Sequence, residues 1–291
     1  MTTSKRPPAR RVVLLKGIGM IFVASILFGL MAVFVRLATR EMPPLQVAFV
    51  RFTGALLVLL ALGRSRALRP QPGNLMRVVQ RGLLGAGAIM LYFHGIRWAG
   101  AGLATLLNCT YPVFTALFAT TFMGERFDGH VGAALSLNLV GVVVILNPTA
   151  PVSPSVTWGS LCALVAAVFA GGAVATARQL RATESALLIT TYFMAVGAVL
   201  TAPAMFATLP PLSPSLLLAL TGVVLTSVGG QLLLHQGLGF APAIQGSLAA
   251  ATSVVTAAVA EALCLGEHLS RQSIIGAVIM LCAVALAASR K

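Results

Sequence analysis

Ten long apolar runs divide this sequence, and they leave it few alternatives to a membrane. They fall at about 14–37, 44–62, 79–98, 101–123 and 131–147, then at about 157–177, 186–208, 215–235, 243–264 and 272–289. Each is close to the roughly 20 apolar residues that a helix needs to cross a bilayer. A closed barrel would show alternating segments of about ten residues, whereas these runs are continuous. Prolines mark the gaps: Pro43-Pro44, Pro70, Pro72, Pro148, Pro151, Pro154, Pro210-Pro211, Pro214 and Pro242. Only Pro112 and Pro203 sit well inside a run, where the missing backbone donor predicts a kink. The expected fold is an all-α integral membrane protein of ten transmembrane helices.

Composition agrees. Of the 291 residues, 58% are hydrophobic and 9% charged, against about half and a quarter in a soluble domain. Ten helices leave about 90 residues to be shared among two tails and nine loops, which leaves no room for a separate soluble domain of about 50 residues. The net charge of +14 therefore has no folded basic face to sit on, which excludes a nucleic-acid partner. The lipid bilayer is the partner instead. With ten helices both termini share a side. The tails and loops on that side carry fifteen Lys and Arg, among them Arg64, Arg66, Arg69, Arg77 and Arg81 around the second gap. The other side carries four, Arg36, Arg40, Arg97 and Arg271, and Arg51 lies within the second run. That excess predicts both termini, including a tail of residues 1–13, in the cytoplasm.

The four cysteines, Cys109, Cys162, Cys264 and Cys282, all lie in apolar runs without a CxxC or Cys/His cluster. They read as small buried side chains, so no metal site and no cofactor is expected. The basic amino end resembles the start of a signal peptide. The apolar stretch from Gly17 to Val35 is too long for one, and no A-x-A-like site follows, which predicts a retained first helix.

An internal repeat narrows the function. Gly124-Glu125 and Gly266-Glu267 are 142 residues apart, and the same offset relates Gly95 to Gly237, Arg36 to Arg178 and Gly17 to Gly159. The chain reads as two five-helix units, residues 14–148 and 157–289. Five is odd, so the second unit enters the membrane inverted. Inverted repeats are a recurrent plan of secondary transporters, with the substrate near the midplane between them.

The residues at these anchors resemble the ten-helix EamA branch of the drug/metabolite transporter superfamily. The likeness rests on Gly95-Ile96-Arg97-Trp98-Ala99, Tyr111-Pro112, Gly124-Glu125-Arg126 and Gly141-Val142-Val143. In the second unit it rests on Gly237-Leu238-Gly239-Phe240-Ala241, Gly266-Glu267-His268-Leu269 and Gly276. The counterpart of Pro112 is Val254, which departs from the pattern and puts a matching second helix break in doubt. The resemblance implies a metabolite exporter of a bacterial-type inner membrane, working by alternating access. Its cavity would be lined chiefly by the first, third, fourth, sixth, eighth and ninth helices. Amino-acid exporters of that family, including those for aromatic amino acids, are most similar in length and helix count. Two units in one chain can enclose a cavity as a monomer.

Candidate substrate-binding residues follow from polarity within the runs. In the fourth run Asn108 and Tyr111 share a helical face with Thr105 and Thr115 beside Pro112. A loosened turn there would expose carbonyls to an amine, with Asn and Tyr at its carboxylate. Interhelical packing is the plainer alternative for the same residues. Tyr92 and His94 in the third run, Gln231 in the eighth, and Gln245 and Ser253 in the ninth complete the set. Trp98 suits an interfacial aromatic belt, and His94 is a titratable candidate. Charges within membranes default to functional hypotheses. Arg51 and Glu261 fall at similar depth, either snorkelling outward or pairing across the two units as a gate. The first and the third to eighth runs lack interior acids, unlike the small multidrug resistance relatives, which use a glutamate in the first helix. With no mid-membrane basic residues expected either, the substrate reads as neutral or zwitterionic, most readily an amino acid. A drug or nucleotide-sugar carrier is the alternative within the superfamily. The Gly82–Gly87 stretch lacks the ending of a phosphate loop and reads as close helix packing. An enzyme is disfavoured, because the sequence holds no HExxH and no nucleophile–base set.

Overall fold

The computed structural model describes residues 9–62, 68–146, 154–265 and 271–288, and these are helical almost throughout. The first unit holds α1 (Ala9–Glu41), α2 (Pro44–Leu62), α3 (Leu75–Ala99), α4 (Ala101–Asn108), α5 (Tyr111–Met123) and α6 (Gly129–Leu146). The second holds α7 (Pro154–Leu180), α8 (Ala186–Thr201), α9 (Pro214–Leu238), α10 (Ala243–Ala251), α11 (Ser253–Leu265) and α12 (Arg271–Ala288). Among the described residues, seven helical segments are long and apolar enough to span a bilayer, with α4–α5 and α10–α11 each counted as one.

Local chemistry sets the ends. Pro44, Pro154 and Pro214 open their helices, where an N–H would have no intrahelical acceptor. The side chains of Ser185 and Ser213 accept the Leu188 and Leu216 N–H groups, both at 3.1 Å, and so cap α8 and α9. Pro203 does not kink a continuing helix. α8 stops at Thr201 and a 3₁₀ turn, Ala202–Phe206, carries the proline. Large apolar side chains such as Leu57, Phe122, Val199 and Leu218 are exposed on the outside, as a lipid-facing surface requires. Buried polar residues turn inward instead.

The offset of 142 is written into the packing. α1 lies along α9 and α3 along α7. A Cβ on Gly17 would meet the Gly237 carbonyl oxygen at 2.9 Å, and one on Gly237 would meet that of Gly17 at 2.7 Å. The swapped pair is close in one direction: a Cβ on Gly95 would sit 3.1 Å from the Gly159 carbonyl, and one on Gly159 would meet the Ala99 nitrogen at 2.7 Å. Glycine permits these close backbone crossings. Arg36 Nη1 donates to the carbonyls of Ile96 and Arg97, and Arg178 Nη1 to those of Leu238 and Gly239. These are matched clamps on the carbonyl ends of α3 and α9. The Gly266-Glu267 anchor lies outside the described residues.

Both units break their fourth helix, contrary to the doubt raised by Val254. In the first, Pro112 lacks an N–H, and α4 ends at Asn108 before α5 begins at Tyr111. In the second, Thr252 interrupts the chain without a proline. Its hydroxyl donates to the Ala249 carbonyl at 2.7 Å and shares a 2.7 Å hydrogen bond with Ser25, so a side chain competes for backbone groups. The two breaks touch. Cys109 Sγ donates to the carbonyl of Ala251, its own counterpart, at 3.2 Å, and Asn138 Nδ2 donates to the Cys109 carbonyl at 3.1 Å.

Candidate functional site

A cavity of about 110 Å³ opens beside this crossing, room for several waters or part of a small metabolite. Its wall comes from α1, α3, α4, α5, α7, α8, α9, α10 and α11. Of the sequence candidates, Tyr92, Asn108, Tyr111, Gln231 and Ser253 line it. Tyr92 Oη and Thr105 Oγ1 are 2.5 Å apart, and Tyr111 Oη donates to the Ser247 carbonyl at 2.9 Å. These bonds hold both rings across the helix breaks. Two amide oxygens in the wall, Asn108 Oδ1 and Gln231 Oε1, are buried with no hydrogen-bond partner.

Two other candidates stand elsewhere. His94 donates its Nδ1 proton to the Met90 carbonyl at 2.8 Å, one turn back on α3. Gln245 lies in a second recess of about 170 Å³ with Glu125, Arg126 and Val131. The expected Arg51–Glu261 pair is not formed. Glu261 Oε1 accepts the Ala101 N–H at the start of α4 at 3.1 Å. Arg51 is fully buried, and none of its three guanidinium nitrogens has a hydrogen-bond partner. Shared depth in the membrane did not mean a shared helix face.

The residue that dominates the wall is Arg81, which the sequence reading counted among loop arginines. It is 3% exposed. Positions 81, 85, 88 and 92 of α3 all reach the cavity, a helical stripe of an arginine, two small residues and a tyrosine. That stripe was the signal available in sequence. Arg81 Nη2 donates to His235 Nε2 at 3.1 Å. Because arginine has no acceptor, His235 must be neutral with its proton on Nδ1. Nδ1 in turn reaches Thr190 Oγ1 at 2.7 Å, and that hydroxyl donates to the Ala186 carbonyl at 2.7 Å. The relay fixes the guanidinium while leaving its Nε and Nη1 unpartnered.

Phe193 joins the two arginines. The Arg81 guanidinium carbon is 4.6 Å and that of Arg51 5.4 Å from the ring centroid. Phe52 meets the same ring edge-on, with centroids 5.5 Å apart. Gly85 makes room, since a Cβ there would be 2.6 Å from the Phe193 ring. Burying an ion costs several kcal/mol even after relaxation, and a desolvated cation–π contact returns about 2 kcal/mol. Arg51 also lies 4.7 Å from the Phe52 centroid, yet the two rings alone do not balance two buried cations.

Residues 15–147 and residues 157–289 each match the EamA-like transporter family. The chain belongs to that family. Among curated relatives, the Pseudopaline exporter CntI of Pseudomonas aeruginosa is 31% identical over 191 residues, 65% of this chain and 66% of its own length. An uncharacterized transporter of Helicobacter pylori is 26% identical over 139 residues, 47% of each chain. Human Solute carrier family 35 member G1 is 22% identical over 207 residues, 66% of this chain and 56% of its own length. The alignments thus span at most about two thirds of these relatives. One solved crystal structure has the same fold, with a TM-score of 0.73 and 22% identity, covering 96% of this chain and 97% of that one. The chain is accordingly a member of a membrane transporter family with bacterial members, and the relatives named above are an exporter, a transporter and a solute carrier.

Proposed function

We propose that this protein is a secondary transporter that exports small amino-acid-type metabolites by alternating access between its two repeats. The observation that supports this most directly is the set of unpartnered groups in one cavity. The free Nε and Nη1 of Arg81 suit a carboxylate, and the free oxygens of Asn108 and Gln231 suit an ammonium. A zwitterion uses both. Apolar Phe28, Met31, Ile89 and Leu234 supply the remaining wall, which fits an apolar or aromatic side chain. The relative named as an exporter supports outward transport of a small organic molecule. Ten crossings, both termini in the cytoplasm and a bacterial inner membrane complete the reading. With Arg81 removed from the loops, fourteen Lys and Arg still face four.

The test is counterflow of labelled amino acids into liposomes holding the purified protein, against empty liposomes, with aromatic and small neutral species side by side. Specific uptake of at least one, lost in Arg81→Gln, is the expected result. Folded, correctly inserted protein that moves none of them overturns the amino-acid reading.

A further inference from the structure

The chain has six acidic residues, and the five described ones are engaged away from the buried arginines. Glu41 accepts from Ser213 and Ser215. Glu125 accepts the Ala243 N–H, Asp128 that of Val131, and Glu184 that of Gln71. Glu261 accepts the Ala101 N–H. Among the described residues, no carboxylate hydrogen-bonds either guanidinium. Arginine keeps its proton in proteins, so both charges persist, and contact with two aromatic rings, Phe193 for both and Phe52 for Arg51, recovers only part of their desolvation. Anionic groups are what the pair lacks.

The two arginines also differ in access. Arg81 is in the cavity wall, whereas Arg51 is one layer behind, screened by Phe193. We propose that Arg81 and Arg51 form a two-point receptor for a diacid. The substrate class is then a small organic molecule, such as an amino-acid derivative, with a second carboxylate beyond the amino-acid group. This deepens, and rests on, the reading of the cavity as a carboxylate-binding transport site. Arg81 takes the first carboxylate through one of its two free nitrogens, Nε or Nη1, which lie on different edges of the guanidinium. Rotation of the Phe193 ring away from Gly85 opens Arg51, whose three nitrogens are all free, to the second. Phe193 is therefore a specificity-determining side chain: it covers Arg51 when a monoacid is bound and yields when a second negative charge is present.

The experiment compares ligands that differ by one carboxylate: glutamate against glutamine, and succinate against succinamate. Binding is read as thermal stabilisation of the full-length protein in detergent, with chloride and sulfate as separate arms. Counterflow in liposomes follows. The diacid is expected to bind at least about 10-fold tighter than its amide, since each charged hydrogen-bonded pair contributes on that order. Arg51→Gln should collapse that ratio toward one, Arg51→Lys should retain part of it, and Phe193→Ala should raise it. A wild-type ratio near one, or a ratio unmoved by Arg51→Gln, overturns the proposal. So does stabilisation that chloride or sulfate alone reproduces and the diacid does not exceed. If Arg51→Gln does not fold, Phe193→Ala decides, and an unchanged ratio overturns the proposal. Monoacid counterflow with a ratio near one removes the diacid receptor but leaves the amino-acid transporter standing. Failure of all counterflow, with a ratio above ten in binding, does the reverse.

Discussion

The two halves agree where they pack and disagree where they meet the cavity. Gly17 and Gly237 repeat Gly159 and Gly95, and the Arg36 clamp repeats Arg178, down to the counterpart carbonyls. At the same offset Arg81 faces Val223, Asn108 faces Ala250, and Arg51 faces Phe193 itself. In each case the first half is polar where the second is apolar. His235 and Gln231 invert this, with Phe93 and Ile89 as their counterparts. Matched residues thus build the scaffold, and unmatched ones give the cavity wall its uneven polarity.

The comparison breaks most visibly at the glycine crossings. Gly237→Val should abolish monodisperse, folded protein in size-exclusion chromatography, because its Cβ meets a backbone carbonyl that cannot yield. Gly95→Val should be harmful but milder, since its approaches are a few tenths of an ångström longer. Next come the unmatched residues. Arg81→Gln should lower transport about 10- to 100-fold, the worth of a hydrogen bond to a charged group. His235→Phe, which installs the first half's residue, should cost about 10-fold by freeing the guanidinium from its tether; uptake at fixed protein content measures both. The matched clamps should act alike and modestly. Arg36→Ala and Arg178→Ala should each lower the melting temperature by about 2–4 °C, for about 1 kcal/mol apiece. A difference between them larger than the smaller of the two shifts would show that the clamps are not equivalent. Smallest is Val254→Pro. Position 254 is the second residue of α11, where an N–H has no intrahelical acceptor, so proline should cost under about 1 kcal/mol. Ala257→Pro, deeper in the same helix, should cost about 3 kcal/mol. Thermal melts of the two separate these outcomes.

Much of the frame was legible in sequence because its causes are local. Apolar length marks the helices, proline marks their starts, and a glycine needed at a backbone crossing stays glycine in both copies. The second break was not legible by the proline rule: both breaks carry a threonine at the same offset, Thr110 and Thr252, whose hydroxyl donates to the carbonyl three residues back, and only the first adds Pro112. The site was half legible. Tyr92, Asn108, Tyr111, Gln231 and Ser253 stood out as polar groups in apolar runs, and the cavity gathers them. Arg81 was hidden by its place in the chain, near a predicted loop, because counting charges along a sequence ignores which face of a helix they take. Arg51 and Glu261 failed in the complementary way. Depth can be counted from a helix end, but azimuth depends on which neighbours pack against it.

The contact between Cys109 and Ala251 has a mechanical consequence. It joins a residue to its own counterpart, so it lies on the axis that exchanges the two halves. In a carrier whose halves trade shapes, that contact acts as the fulcrum of a lever: it travels least while the arms on either side swing. A fluorescent probe at Gly129, beyond α5, and another at Arg271, beyond α11, should report movements of opposite sense during a transport cycle. The substrate beside the fulcrum would be passed from one arm to the other almost without moving itself.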